Sequence, residues 1–162
     1  MAIAVPSIWI GKELIKMILV MKNYEIKAFG DFLYELSLKG KDSRMRSRFI
    51  GILEEQLDLI NKERDILIQD YAKKDEQGEP VREKDDEGRE FVILEDSFSF
   101  NMEVSKLMNE EFIIEVKNEK VDMIKVIQDV VLNVDKEFSG VDAERYDRFC
   151  EILESVSFDE TT

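Results

Sequence analysis

Between Lys41 and Glu79 the apolar positions Phe49, Leu53, Leu57, Ile60, Leu67 and Tyr71 recur at steps of three, four and seven. That spacing puts them on one face of a 3.6-residue helix, and Ile50, Ile52, Ile66 and Ile68 widen the stripe. The positions between them are mostly charged, as a water-facing side requires. The pattern predicts one long helix over about residues 43–74, with Ser43 as N-cap and Gly78 followed by Pro80 as its stop. The other elements are shorter and need this helix to bury their apolar faces.

Tyr24 to Ala28 (YEIKA) alternates and reads as a short strand. Phe29, Phe32, Leu33 and Leu36 then follow helical spacing, with Asp31 in the first turn and Lys39-Gly40-Lys41 as the helix end. From Asp75 to Glu90 the chain is almost wholly polar; Asp86-Glu87-Gly88-Arg89 is a turn signal between Pro80–Arg82 and Phe91–Leu94. It reads as a short hairpin, or alternatively as a solvated loop. Ser97 to Asn109 is helical, with Phe100, Val104, Leu107 and Met108 as its apolar face. Glu111 to Lys117 (EFIIEVK) reads as a strand. Lys120 to Val134 is a wide-faced amphipathic helix, expected to be the most buried of the set. Ser139 caps a last helix, Val141 to Ser155, with Tyr146, Phe149, Cys150 and Leu153 on one face; an acidic tail follows from Phe158. The fold class expected is α+β and mostly helical, with four or five helices around the long one and a few short strands or a small hairpin.

Composition narrows the chemistry. The chain has 162 residues, 44% hydrophobic and 37% charged, and a formal net charge of −14. That charge repels nucleic-acid backbones and anionic membranes, so direct nucleic-acid binding is disfavoured and a protein partner is expected. No apolar run reaches the ~18 residues of a membrane span. There is no histidine, which removes imidazole bases and ligands. The single cysteine, Cys150, cannot form an internal disulfide and suits a reducing compartment. No GxGxxG, P-loop or GxSxG pattern occurs. Neither a cofactor nor a metal is expected.

Residues 1–20 form a leader-like segment in this reading, with 21–158 as one globular domain and 159–162 as an acidic tail. Gly11-Lys12-Glu13 is compatible with a translated ribosome-binding sequence, which would place the native start at Met17 or Met21.

Several separated stretches resemble a known family. They are LYELSLKGKDSRMRSRF (Leu33 to Phe49), DYAKKDEQGEP (Asp70 to Pro80), LMNEEFIIE (Leu107 to Glu115), VVLNVDKEFSG (Val130 to Gly140) and YDRFCEILE (Tyr146 to Glu154). Their order and spacing are similar to a family of small proteins encoded by phages and prophages of Gram-positive bacteria, over about residues 21–155. The family carries no established catalytic residues, so none is transferred. Its usual Trp-Cys pair stands here as Phe149-Cys150.

Five positive charges, Lys39, Lys41, Arg44, Arg46 and Arg48, fall within ten positions of this acidic chain. They are the candidate binding patch for an anion or an acidic partner, near a helix N-terminus and with Ser43 and Ser47 as further donors. The competing reading pairs them with the chain's own carboxylates. Asp96 with Glu115-Val116-Lys117 is a weak echo of a metal-nuclease site. Asn133, Asp135, Glu137 and Ser139 suggest calcium ligands, but Gly140 and the residues after it do not complete an EF-hand loop, and a capped turn fits better. Cys150 lies on an apolar helix face and reads as structural.

The function expected is therefore non-enzymatic: a phage or prophage protein acting through protein–protein contact, in particle assembly or structure. It would work in the cytoplasm of the bacterial host or associate with the virion. The alternative is an acidic inhibitor of a host nucleic-acid-binding or anti-phage defence protein, and a third reading is a metal-dependent nuclease.

Overall fold

The computed structural model describes residues 17–158. Its elements run β1 Ile18–Lys22, α1 Asn23–Glu35, α2 Gly40–Tyr71, β2 Arg82–Lys84, β3 Glu90–Val92, α3 Ser97–Asn109, β4 Glu111–Glu115, α4 Glu119–Leu132 and α5 Gly140–Glu154. The fold is α+β and mostly helical, with four helices and two small antiparallel ladders arranged about the 32-residue α2. At 1.5 Å per residue α2 is roughly 48 Å long.

The core forms where the first two thirds of α2 meets α1, α4, α5 and the β1–β4 ladder. Met45, Phe49, Leu53 and Ile60 of α2 are buried against Ile26, Phe29 and Leu33 of α1, Ile124 and Ile127 of α4, and Phe149 and Leu153 of α5. Phe29 stacks on Phe149 (4.6 Å, 13°) and meets Phe49 edge-on at 5.8 Å. Five residues of α1 are buried against four of α4, so α1, not α4, is the more enclosed helix.

The alternation at 24–28 belongs to α1 and not to a strand. Ile26, Phe29 and Leu33 share one helical face, and Glu25 accepts the Lys22 backbone N–H at 2.7 Å to hold the first turn. Asp31 consequently lies well inside α1, where it pairs with Lys27 at 2.7 Å. The strand lies just upstream. Leu19 pairs with Ile114 and Met21 with Phe112, both side chains entering the core. β1 thus crosses the boundary placed at 20/21, and residues 17–20 belong to the domain; the rest of the leader-like stretch lies outside the described residues.

α2 begins three residues before the expected N-cap. Lys39 occupies the cap position, and the Ser43 hydroxyl accepts from Arg46 at 3.3 Å instead of capping. α2 ends at Tyr71 because the chain becomes extended and joins a ladder: Ala72 bridges Leu94, and Lys74 bridges Pro80. Two successive reversals of one design follow, D-x-x-G at Asp75–Gly78 and again at Asp85–Gly88. In each the aspartate carboxylate accepts two backbone N–H groups at 2.9 Å, and the glycine takes a positive φ (82° and 80°). The second reversal joins β2 to β3, the expected hairpin.

α3 spans the range its spacing indicated, with Asp96 as a side-chain N-cap to Ser99. Phe158, the last residue of the expected domain, packs on the core with the Lys125 ammonium 5.1 Å over its ring. No helix among the described residues is long and apolar enough to cross a membrane.

Candidate functional site

The five-charge patch divides into two environments. Lys41, Arg44 and Arg48 recur at steps of three and four, so they form one exposed stripe on α2. Lys41 ends at Asp122 of α4, with Nζ–Oδ2 at 2.8 Å. Arg44 and Arg48 form no ion pair with any described residue.

Arg46 points the other way and is half-buried. Its guanidinium donates to the Leu36 carbonyl and, at 3.5 Å, to Leu33 O, so it closes the C-terminal end of α1. Lys39 joins Arg46 in lining a shallow hollow of about 580 Å³ with Tyr34 and Leu38. Arg46 is therefore a structural fastener, and among the described residues the unpaired positive charge of the patch is carried by Lys39, Arg44 and Arg48.

The echo of a metal site resolves into local contacts. Asp96 caps α3, and its bonds to the Ser99 hydroxyl and amide hold its carboxyl below the usual range. Glu115 pairs with Lys117, whose ammonium likewise lowers the Glu115 carboxyl. Among the described residues no three Asp, Glu or Cys side chains converge to hold a metal ion. Asn133, from the suspected calcium loop, donates its side-chain amide to Asp129 O at 2.8 Å, and Ser139 holds the N-cap position of α5 without a side-chain cap bond.

Cys150 is half-buried, and burial pushes its thiol up, although the neighbouring Tyr146 acts in the opposite direction. Tyr146 is itself pushed up to about 12, mainly by burial, and donates to Val131 O at 2.8 Å.

A cleft of about 630 Å³ lies between α1 and the α4–α5 connection, over Phe32, Phe138 and Phe149. Apart from Glu137, its rim charges are matched by near neighbours, Lys27 with Asp31, Lys136 with Glu35 (3.9 Å) and Arg145 with Asp142 (3.6 Å).

Charge spacing did not single out the exposed face of α3. Phe98 is 73% exposed and Met102 48%, and with Asn101, Ser105 and Asn109 they make a stripe without a single charge. The two charged residues of α3, Glu103 and Lys106, pair with each other at 2.6 Å. Around this helix the sequence is strongly acidic, with thirteen carboxylates against four cations over residues 75–111. The legible signal was the shortage of charge in SFSFNMEVSKLMN within a chain that is 37% charged. Comparison with family models, curated proteins and solved structures finds no match to this chain.

Proposed function

We propose that this chain is a phage- or prophage-encoded protein that acts without catalysis, by binding another protein during assembly of the particle or within its structure. The observation that supports this reading is the uncharged stripe of Phe98 and Met102, held exposed on α3 within an acidic stretch of sequence. Large apolar groups kept in water on an otherwise highly charged surface mark a contact site more readily than a reaction site. The host setting comes from the motif resemblance over residues 21–155, and it implies work in the bacterial cytoplasm or on the virion. The test is affinity purification of the tagged chain from induced or infected cells, beside a Phe98→Asp/Met102→Asp variant. Virion proteins should co-purify with the parent chain and be lost with the variant. Recovery of nothing from either would overturn the reading.

The acidic run over 75–111 favours one other reading, an inhibitor that occupies the basic groove of a host nucleic-acid-binding or defence protein. Binding of that kind should weaken steeply with added salt, whereas burial of Phe98 and Met102 should respond little.

A further inference from the structure

Arg44, Arg48, Gly51, Glu55 and Asp58 recur at steps of four, three, four and three, so they form one ridge along α2. The ridge is turned away from the face that carries Met45, Phe49 and Leu53 into the core. Its four charged side chains are exposed, and none forms an ion pair with any described residue. The cations that line the groove beside Glu55 are engaged elsewhere: Lys117 pairs with Glu115, and Lys120 acts on the same carboxylate. Along the ridge the charges are segregated, with two cations before Gly51 and two carboxylates after it. Nothing within the fold calls for a glycine at this point. A Cβ on Gly51 would meet no atom within 4 Å, and a glycine inside a helix costs stability relative to alanine.

We propose that this ridge is the contact surface for a second copy of the chain, whose α2 lies antiparallel across it about a two-fold axis at Gly51. Such an axis sets Arg44 against Asp58 of the second copy and Arg48 against its Glu55, and the symmetry repeats each pair in the opposite sense. The unpaired halves of one ridge are thus completed by the unpaired halves of another. Parallel pairing would instead set Arg44 on Arg44 and Asp58 on Asp58, so charge fixes the direction. A glycine at the crossing point lets two helix backbones approach closely, which a side chain there would prevent. Lys62 comes opposite Lys41 of the second copy, whose charge Asp122 already balances. The net −14 of each molecule opposes association. At about 0.1 M salt, however, charges more than about 10 Å apart are largely screened, whereas contacts along the ridge are not. Exposed ion pairs contribute modestly, so the dimer is a weak one that forms with rising concentration. The inference goes beyond the contact reading above and is independent of it, because Phe98 and Met102 lie on α3.

Sedimentation equilibrium of the full chain at about 0.1 M salt tests this. The average mass should rise from monomer toward dimer as concentration increases. Arg48→Glu and Glu55→Arg each turn both symmetry-related contacts from attractive to repulsive, and each should weaken the dimer by about tenfold or more. Arg48→Glu/Glu55→Arg keeps the net charge at −14 and restores the pair with its signs exchanged, so it should recover the parent affinity. Gly51→Leu should abolish the dimer without lowering the melting temperature of the dilute monomer, since the position faces open space. Phe98→Asp/Met102→Asp should dimerise like the parent, which keeps this surface separate from the contact on α3. A mass that stays monomeric up to about 1 mM chain overturns the proposal. So do single charge variants that dimerise like the parent, a double variant that stays as weak as the single ones, or a Gly51→Leu chain that still dimerises.

Discussion

Glu25 and Arg148 lie 123 positions apart and meet at 2.6 Å, Oε1 to Nε, joining the first turn of α1 to the middle of α5. Glu25 is 7% exposed, and its other oxygen accepts the Lys22 backbone N–H. Arg148 also reaches Glu151, which is in water. Removing Arg148 leaves a buried carboxylate with one partner fewer. Arg148→Ala should therefore cost about 1–3 kcal/mol, reduced from the fully buried case because the arginine is itself half-exposed. Glu151→Ala should stay within about 0.5 kcal/mol. Urea unfolding of both variants checks the ranking.

The aromatic centre should tolerate size changes unequally. Phe29 is fully enclosed, whereas Phe149 borders the large cleft beside Phe32. Phe29→Ala should lose about 3–5 kcal/mol, and Phe29→Trp about 1–3 from overpacking. Phe149→Trp has room toward the cleft and should cost less than about 1 kcal/mol. Thermal and urea melts of the three variants decide this, and equal costs for the two tryptophans would refute the difference in enclosure.

Arg46 and its neighbours provide a third comparison. Arg46→Ala strips two carbonyls at the end of α1 of a charged donor and should destabilise by about 1–2 kcal/mol. Arg44→Ala and Arg48→Ala should each remain within about 0.5 kcal/mol, since neither side chain is held by a described residue. Any binding of an anionic partner should show the reverse order.

Much of this arrangement was readable from sequence, for local reasons. α3 and the hairpin are framed by side chains that act on their own backbones, Asp96 in one case and Asp85 with Gly88 in the other. The misreading at 24–28 arose because Tyr24, Ile26 and Ala28 satisfy a period of two while Ile26, Phe29 and Leu33 satisfy 3.6. Five residues could not decide between them. β1 was missed because its apolar run continues that of the N-terminal stretch, and only pairing with a distant β4 marks it as a strand. The charge cluster was visible, but its division was not, since Arg46 depends on the angle at which α1 meets α2. The stripe of Phe98 and Met102 hid in plain composition, because an exposed apolar residue is ordinary until its whole face proves uncharged.

Acid should loosen the second reversal. Asp85 sits below its ordinary value of 3.8, chiefly through the Arg89 amide and guanidinium. A depressed carboxyl contributes stability that is present in full above the unfolded value and lost as pH falls through the folded one. The β2–β3 pairing should thus hold at pH 5 and weaken only below 3.8. Amide shifts of Glu87 and Arg89 followed by NMR titration would report it, and a midpoint above 3.8 would contradict the contact.

Cys150 should resist alkylation. Its thiol is raised above 9.0 by burial, so the thiolate is scarce at pH 8 and appears only at higher pH. Iodoacetamide should label the folded protein far more slowly than the unfolded chain, and mass spectrometry over time would show it. Equal rates would mean that the face carrying Cys150 is open.

The pairing of β1 with β4 has a consequence for synthesis. Lys22 leaves the ribosome about ninety residues ahead of Glu111, its ladder partner. At bacterial or eukaryotic translation speeds that is a wait of roughly 5–20 s, during which Leu19 and Met21 have no strand to join. Closing so long a loop has a large entropic cost before any contact compensates it. A nascent chain stalled anywhere before residue 111 would present these apolar side chains to chaperones.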